Sequence, residues 1–192
     1  MIDTEPDSVI DAMGAQLRLG LQRLDAIDGA AIEQLADLLV DCVGGGASVG
    51  FMAPLPRARA IAFWEKVAGE LAVGERALLV ACDAQGICGT VQLVLAQADN
   101  QPHRADLAKM LVHTRARRRG LGAQLMRAAE TLARDCGKTL LVLDAVSDGD
   151  ACRLYARLGW LRVGDIPGYA LLPHGGLCST TYFFRELHPE NT

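Results

Sequence analysis

The sequence predicts a mixed α/β chain, helices flanking a mixed (α+β) sheet, in the order β-α-α-β-β-β-α-β-α-β-β. Three observations carry this. Two apolar runs, 76–82 and 87–95, are separated by turn residues and read as a hairpin. Stretches with apolar residues at helical spacing lie before, between and after the strand-like runs. The 192 residues are 51% hydrophobic and 22% charged, which gives enough material for a core and excludes global disorder.

Residues 1–14 are acidic and read as a loosely ordered leader, followed by one domain over 15–188. They lack the basic start and apolar stretch of a secretory signal. Residues 16–21 alternate enough for a short strand. Asp28 can cap a helix whose stripe is Ile32, Leu35, Leu38, Leu39 and Cys42, with Gly44, Gly45 and Gly46 ending it. Residues 47–55 read as a loop. Pro56 can open a second helix through Ala60, Phe63, Trp64, Val67 and Leu71. The hairpin follows, then a polar loop over 99–103 and a strand over 105–113. Leu121, Leu125, Ala128, Ala129 and Leu132 mark an amphipathic helix that Gly137 ends. Residues 139–144 form a strand, Asp150 can cap a helix to Leu158, and 160–166 is a strand. Residues 168–179 carry turn signals and read as a long loop before the last strand, 180–187. No internal repeat divides the chain.

Net charge is −4, from 19 basic and 23 acidic residues, which argues against a nucleic-acid-binding surface. No apolar run approaches the roughly 18 residues of a membrane helix, so no membrane partner is expected. The six cysteines, Cys42, Cys82, Cys88, Cys136, Cys152 and Cys178, contain no C-x-x-C pair. No metal site or disulfide framework is expected, and a reduced, cytoplasmic setting fits.

The chemistry concentrates after the third of the middle strands. Arg115, Arg117, Arg118 and Arg119 run into Gly120-Leu121-Gly122-Ala123 and then a helix. A helix N-terminus offers unpaired N–H groups and partial positive charge. Glycine lets phosphate approach the backbone, and arginine adds forked donors. The unit therefore reads as a pyrophosphate cradle. It is no P-loop, because no Gly-Lys-[Ser/Thr] is present at the turn. It is a poor dinucleotide site, because position 125 is Leu where G-x-G-x-x-G needs its third glycine.

Arg117-Arg118-Arg119-Gly120-Leu121-Gly122 matches the [QR]-x-x-G-x-[GA] pattern of the GCN5-related N-acetyltransferase (GNAT) superfamily. Ala151, Tyr155, Gly159 and Trp160 match its second signature, A-x-x-x-Y-x-x-x-G-[FW]. The chain resembles that superfamily. The segments GGGASVGFMAPL at 44–55, 104–112, the cradle, RVGDIPGY at 162–169 and 180–183 are also similar to the tabtoxin-resistance acetyltransferases of plant-pathogenic pseudomonads.

The resemblance implies the acyl-CoA N-acyltransferase fold and an acetyl-CoA-dependent transfer to a small-molecule acceptor bearing an amine or hydroxyl. An amino-acid-like toxin or antibiotic is the acceptor it suggests, with resistance as the role. It implies that residues 117–123 hold the pyrophosphate and that the backbone of Met110, Leu111 and Val112 orients the pantetheine arm. Tyr155 is then the acid toward the coenzyme sulfur. Asp106, inside an apolar strand, and Asp144, ending one, are candidate bases, since a carboxylate in apolar surroundings accepts a proton more readily. Ser48, Phe51 and Tyr169 are candidate acceptor contacts, while Phe63 and Trp64 read as core. His113 is a minor alternative base. Where many members carry Asn, this chain has Asp148, whose ionised carboxylate could not donate to the arm. A protein or peptide acetyltransferase and a non-catalytic acyl-CoA-binding module are the competing functions. Either a monomer or a homodimer fits.

Overall fold

The computed structural model describes residues 20–187. The leader at 1–14, most of the strand expected over 16–21, and His188 lie outside the described residues. The chain runs β1 (Gly20–Leu24), α1 (Gly29–Gly44), α2 (Arg57–Ala72), β2 (Arg76–Asp83), β3 (Gly86–Leu95), β4 (Arg104–Val112), α3 (Leu121–Asp135), β5 (Leu140–Val146), α4 (Asp150–Arg157), β6 (Leu161–Leu171) and β7 (Leu177–Glu186). A single 3-10 turn, Thr114–Ala116, precedes α3. The element order is the predicted one.

The strands form one seven-stranded sheet in the order β1-β2-β3-β4-β5-β7-β6, antiparallel except between β4 and β5. That parallel pair needs a crossover, which α3 supplies. Alternation along each strand gives the sheet two apolar faces. On one, Leu78 and Val80 meet Leu35, Leu38 and Leu39 of α1 and Trp64 and Val67 of α2. On the other, Leu79, Val91, Leu93 and Leu107 meet Leu121, Leu125, Met126 and Ala129 of α3. Asp28 caps α1 as the sequence suggests, its Oδ1 accepting from the Ala31 N–H at 2.7 Å. Gly149, not Asp150, holds the N-cap position of α4.

The largest departure concerns 168–179. It is not a long loop: β6 continues to Leu171, β7 starts at Leu177, and only the tip between them turns. Glycine and proline there signal irregular chain. The pairs Ala170↔Cys178 and Leu171↔Leu177 instead extend the ladder beyond a register shift between Ile166 and Ala170.

Candidate active site

β4 and β5 pair at only three positions, Arg104↔Leu140, Ala105↔Leu141 and Asp106↔Val142. Beyond them the strands part. In β4 the register to β3 also shifts: Thr90 faces Leu111 and Gln92 faces Ala108, so Lys109 and Met110 stand against Val91 alone. Lys109 takes a left-handed φ of 49° at this bulge. A bulge re-aims side chains and sharpens the twist. The result is a cleft of about 1250 Å³, walled by β4 from Leu107 to Val112, the start of α3, the end of β5 and α4.

Backbone groups of successive strand residues point to opposite edges. His113 N–H donates to the Cys88 carbonyl at 2.9 Å, on the β3 side. Met110 and Val112 therefore face the cleft, and Leu111 faces β3 with its side chain in the core, 2% exposed. Leu111 still lines the cleft, so the three residues of the expected pantetheine trio all border it, with Met110 and Val112 turned toward it and Leu111 toward β3. The Val112 carbonyl is already occupied by Arg117 Nε at 3.0 Å, which leaves its N–H and both polar groups of Met110 toward the cleft.

After the 3-10 turn, Arg118 (φ 63°) and Gly120 (φ 77°) adopt left-handed backbone. Gln124 is the first residue of α3 to donate back, to the Gly120 carbonyl at 3.2 Å. The amides of Leu121, Gly122 and Ala123 are left for a ligand, an anion-binding nest at a helix N-terminus. A Cβ on Gly122 would lie 3.2 Å from Leu154 Cδ2. The four arginines divide. Arg115 binds the Asp83 carboxylate, at 3.0 Å through Nε, and the Ile87 carbonyl, tying the turn to the β2–β3 hairpin. Arg117 lines the cleft at the C-terminal end of α1, with its guanidinium beside Cys42. Arg118 lines the cleft. Arg119 is exposed and lies outside the lining, which corrects its expected place. Two arginines that the motif did not single out, Arg127 of α3 and Arg157 of α4, line the cleft instead. Arg157 sits two residues after Tyr155, within the second signature.

Tyr155 lines the cleft and is 5% exposed, packed edge-on to Phe183. Burial pushes its phenol well above the usual tyrosine range, with Cys152 and Asp144 adding to the shift. Asp144 also lines the cleft and accepts from Thr180 Oγ1 at 2.9 Å. It is exposed, not in an apolar setting. Asp106 is the last paired residue before the strands part, outside the lining, and its carboxylate is held by Arg104 at 2.8 Å. Neither carboxylate has the apolar surroundings that the sequence suggested: Asp106 is held by Arg104 from its own strand, and Asp144 by Thr180 from β7.

Ser48 and Tyr169 reach the cleft. The Tyr169 and Tyr182 hydroxyls are 3.0 Å apart, and this bond raises Tyr182 to about 12. Phe51 does not line the cleft; it packs against Phe63, centroids 5.4 Å apart, the one correction among the three expected acceptor contacts. Asp148 has a left-handed φ of 60°, a conformation that Asp and Asn tolerate, and only its carbonyl is engaged, by Arg153. His113 Nδ1 accepts from the Arg115 N–H in the turn. Among the described residues no group of three or more His, Cys, Asp or Glu could hold a metal ion. Lys109, Arg127, Thr180 and Tyr182 were missed. Only Lys109, the one lysine inside the expected strand 105–113, carried a signal.

The model of the acetyltransferase (GNAT) family matches residues 32–160. The chain belongs to the GNAT family. An uncharacterized N-acetyltransferase from the hisH-hisA intergenic region of Azospirillum brasilense is 34% identical over 126 residues, 65% of this chain and 73% of that protein. The yncA protein of Salmonella typhimurium, solved with acetyl-CoA, superposes with a TM-score of 0.71 at 19% identity, over 90% of this chain and 96% of that one. Ribosomal-protein-alanine N-acetyltransferase from Brucella melitensis gives 0.74 at 16%, over 88% and 100%. A protein provisionally assigned as a phosphinothricin N-acetyltransferase gives 0.70 at 16%, over 88% and 100%. At these identities the structures share the fold. This GNAT enzyme uses acetyl-CoA as acetyl donor, and its site fits that molecule: a nest of free amides, a bare backbone at Gly122 and an unpaired β4 edge at Met110.

Proposed function

We propose that the enzyme acetylates a small amine- or hydroxyl-bearing acceptor of the amino-acid type, as a cytoplasmic defence against a toxin or antibiotic. The observation that carries this reading is a roof over the acceptor end of the cleft. The Ala53 N–H donates to the Pro173 carbonyl at 2.9 Å, and His174 Nε2 lies 3.2 Å from the Gly44 carbonyl. The α1–α2 loop and the β6–β7 tip are thereby bonded to each other. Such a roof admits a small molecule and obstructs an extended peptide. The similarity of 44–55, which includes most of the α1–α2 loop, and of 162–169 in β6 to the tabtoxin-resistance enzymes supports the same reading, and six free thiols suit a reducing compartment.

Bound acetyl-CoA supplies a thioester carbonyl open to attack and a thiolate leaving group. The amides of Leu121, Gly122 and Ala123 bind its pyrophosphate, with Arg118, Arg127 and Arg157 adding charge. The backbone of Met110 orients the arm in the gap between β4 and β5. Asp144 takes the proton that the acceptor nitrogen loses on attack. Tyr155, kept protonated by burial, donates its phenolic proton to the sulfur.

A transfer assay with free amino acids set against short peptides tests the acceptor class. Better turnover of peptides would overturn it. Tyr155→Phe should lower kcat roughly 100-fold, within the usual range for a general acid, and leave acetyl-CoA affinity unchanged. An unaltered kcat would remove Tyr155 as the acid.

A further inference from the structure

The floor of the cleft holds a cation with no partner. Lys109 lines it, and among the described residues no carboxylate lies within ion-pair distance of its ammonium. Its Nζ stands 5.4 Å from the centre of the Phe63 ring, a contact that favours the charged form. Burial nevertheless lowers its pKa, and Arg76 lowers it further; Asp144 is the charge that opposes this. Arg76 is itself committed, to Glu70 and to Gln92 Oε1 at 2.6 Å. Gln92, fully buried and opposite Ala108 beside the bulge, keeps an Nε2 with no acceptor. The protein thus gathers donors at the β4 bulge, and the Glu70 carboxylate beside them is already paired with Arg76.

A partly buried, unpaired ammonium costs stability. So does left-handed backbone at a residue with a side chain. Both costs fall on one residue, and that residue faces the reaction cleft. Asp144, of opposite sign, lines the same cleft from β5. A cation from β4 and an anion from β5 complement a zwitterion.

Resting on the small-acceptor reading above, we propose that Lys109 binds the carboxylate of the acceptor. The enzyme then selects amino carboxylic acids over amines that lack the acid. Lys109 is a specificity residue; the amine end is left to Asp144.

The test separates binding from turnover. The CoA complex is titrated by calorimetry with N-acetyl amino acids and with the matching N-acetyl amino-acid amides, for the parent, Lys109→Met and Lys109→Arg. A charge-assisted hydrogen bond predicts acids binding about 10- to 100-fold tighter than amides to the parent. The preference should vanish in Lys109→Met and return in part in Lys109→Arg, with CoA affinity unchanged in all three as evidence of folding. Equal binding of acids and amides, a preference that survives Lys109→Met, or no binding of either probe overturns the proposal. Transfer to free amino acids and to their amides at equal kcat/KM also overturns it, while the small-acceptor reading stands. Lys109-dependent binding of the acids without transfer to any small amine does the reverse.

Discussion

The half of the cleft between β4 and α3 is made mostly of backbone: free amides at 121–123, left-handed turns at Arg118 and Gly120, and the open edge of Met110. The half between the α1–α2 loop and the β6–β7 hairpin is made mostly of side chains: Lys109, Asp144, Tyr169 and Thr180, from four separate segments. A backbone site tolerates changes of side chain but not a Cβ in the wrong place. A side-chain site depends on the identity of each residue and on elements far apart in sequence. The first suits a donor common to a whole family; the second lets the acceptor vary between members.

If the halves are separable, the largest effect should come from filling the backbone site. Gly122→Val places a branched side chain where a Cβ already meets Leu154 and where phosphate must approach. Losing one or two charge-assisted amide contacts costs about 3 kcal/mol, or roughly 100-fold in acetyl-CoA affinity. Calorimetric titration measures it. Affinity within a few-fold of the parent would mean that the amides are not the phosphate site.

Arg115→Ala probes an arginine of the same run that serves neither half. The Asp83 side chain is 4% exposed, and removing Arg115 leaves it without its cation. Breaking a largely buried pair predicts a loss of about 3 kcal/mol of stability, read by chemical denaturation, with acetyl-CoA affinity unchanged below the transition. The Arg115 guanidinium holds the Asp83 carboxyl below the usual carboxylate range. Its contribution is therefore complete above the unfolded-state pKa of about 4 and is lost as pH falls toward the folded value. The gap between parent and variant should narrow in acid. A gap independent of pH would remove the ion pair as the cause.

This division explains what the sequence could reveal. The cradle is contiguous, and its glycines and turn are dictated by backbone geometry, so Gly120, Gly122 and Ala123 were readable in one dimension. Tyr155 was readable only through its signature. Arg115 and Arg119 were assigned to the anion site because charge in a sequence carries no direction; Asp83, 32 residues earlier, claims Arg115. Asp106 looked isolated among apolar residues, but Arg104, two positions away on the same strand, lies beside it. Phe51 looked like a loop residue free for ligand, but Phe63 covers it. The hairpin at 168–179 was missed because pairing with β7, not local propensity, makes β6 a strand to Leu171.

The smallest effect is expected at the roof. His174 is exposed, and its Nε2 makes one bond to the Gly44 carbonyl, beside the backbone bond from Ala53 to Pro173. His174→Ala removes a solvent-exposed bond worth about 0.5–1 kcal/mol, and the second tie keeps the loops together. Stability should fall by no more than that. Acceptor KM should rise about two- to fivefold through looser closure, the same energy expressed as a ratio, with kcat and acetyl-CoA affinity unchanged. A fall in acetyl-CoA affinity would show that the roof reaches the donor half and that the two halves are one. An unchanged acceptor KM would mean that the α1–α2 loop holds the acceptor without the hairpin.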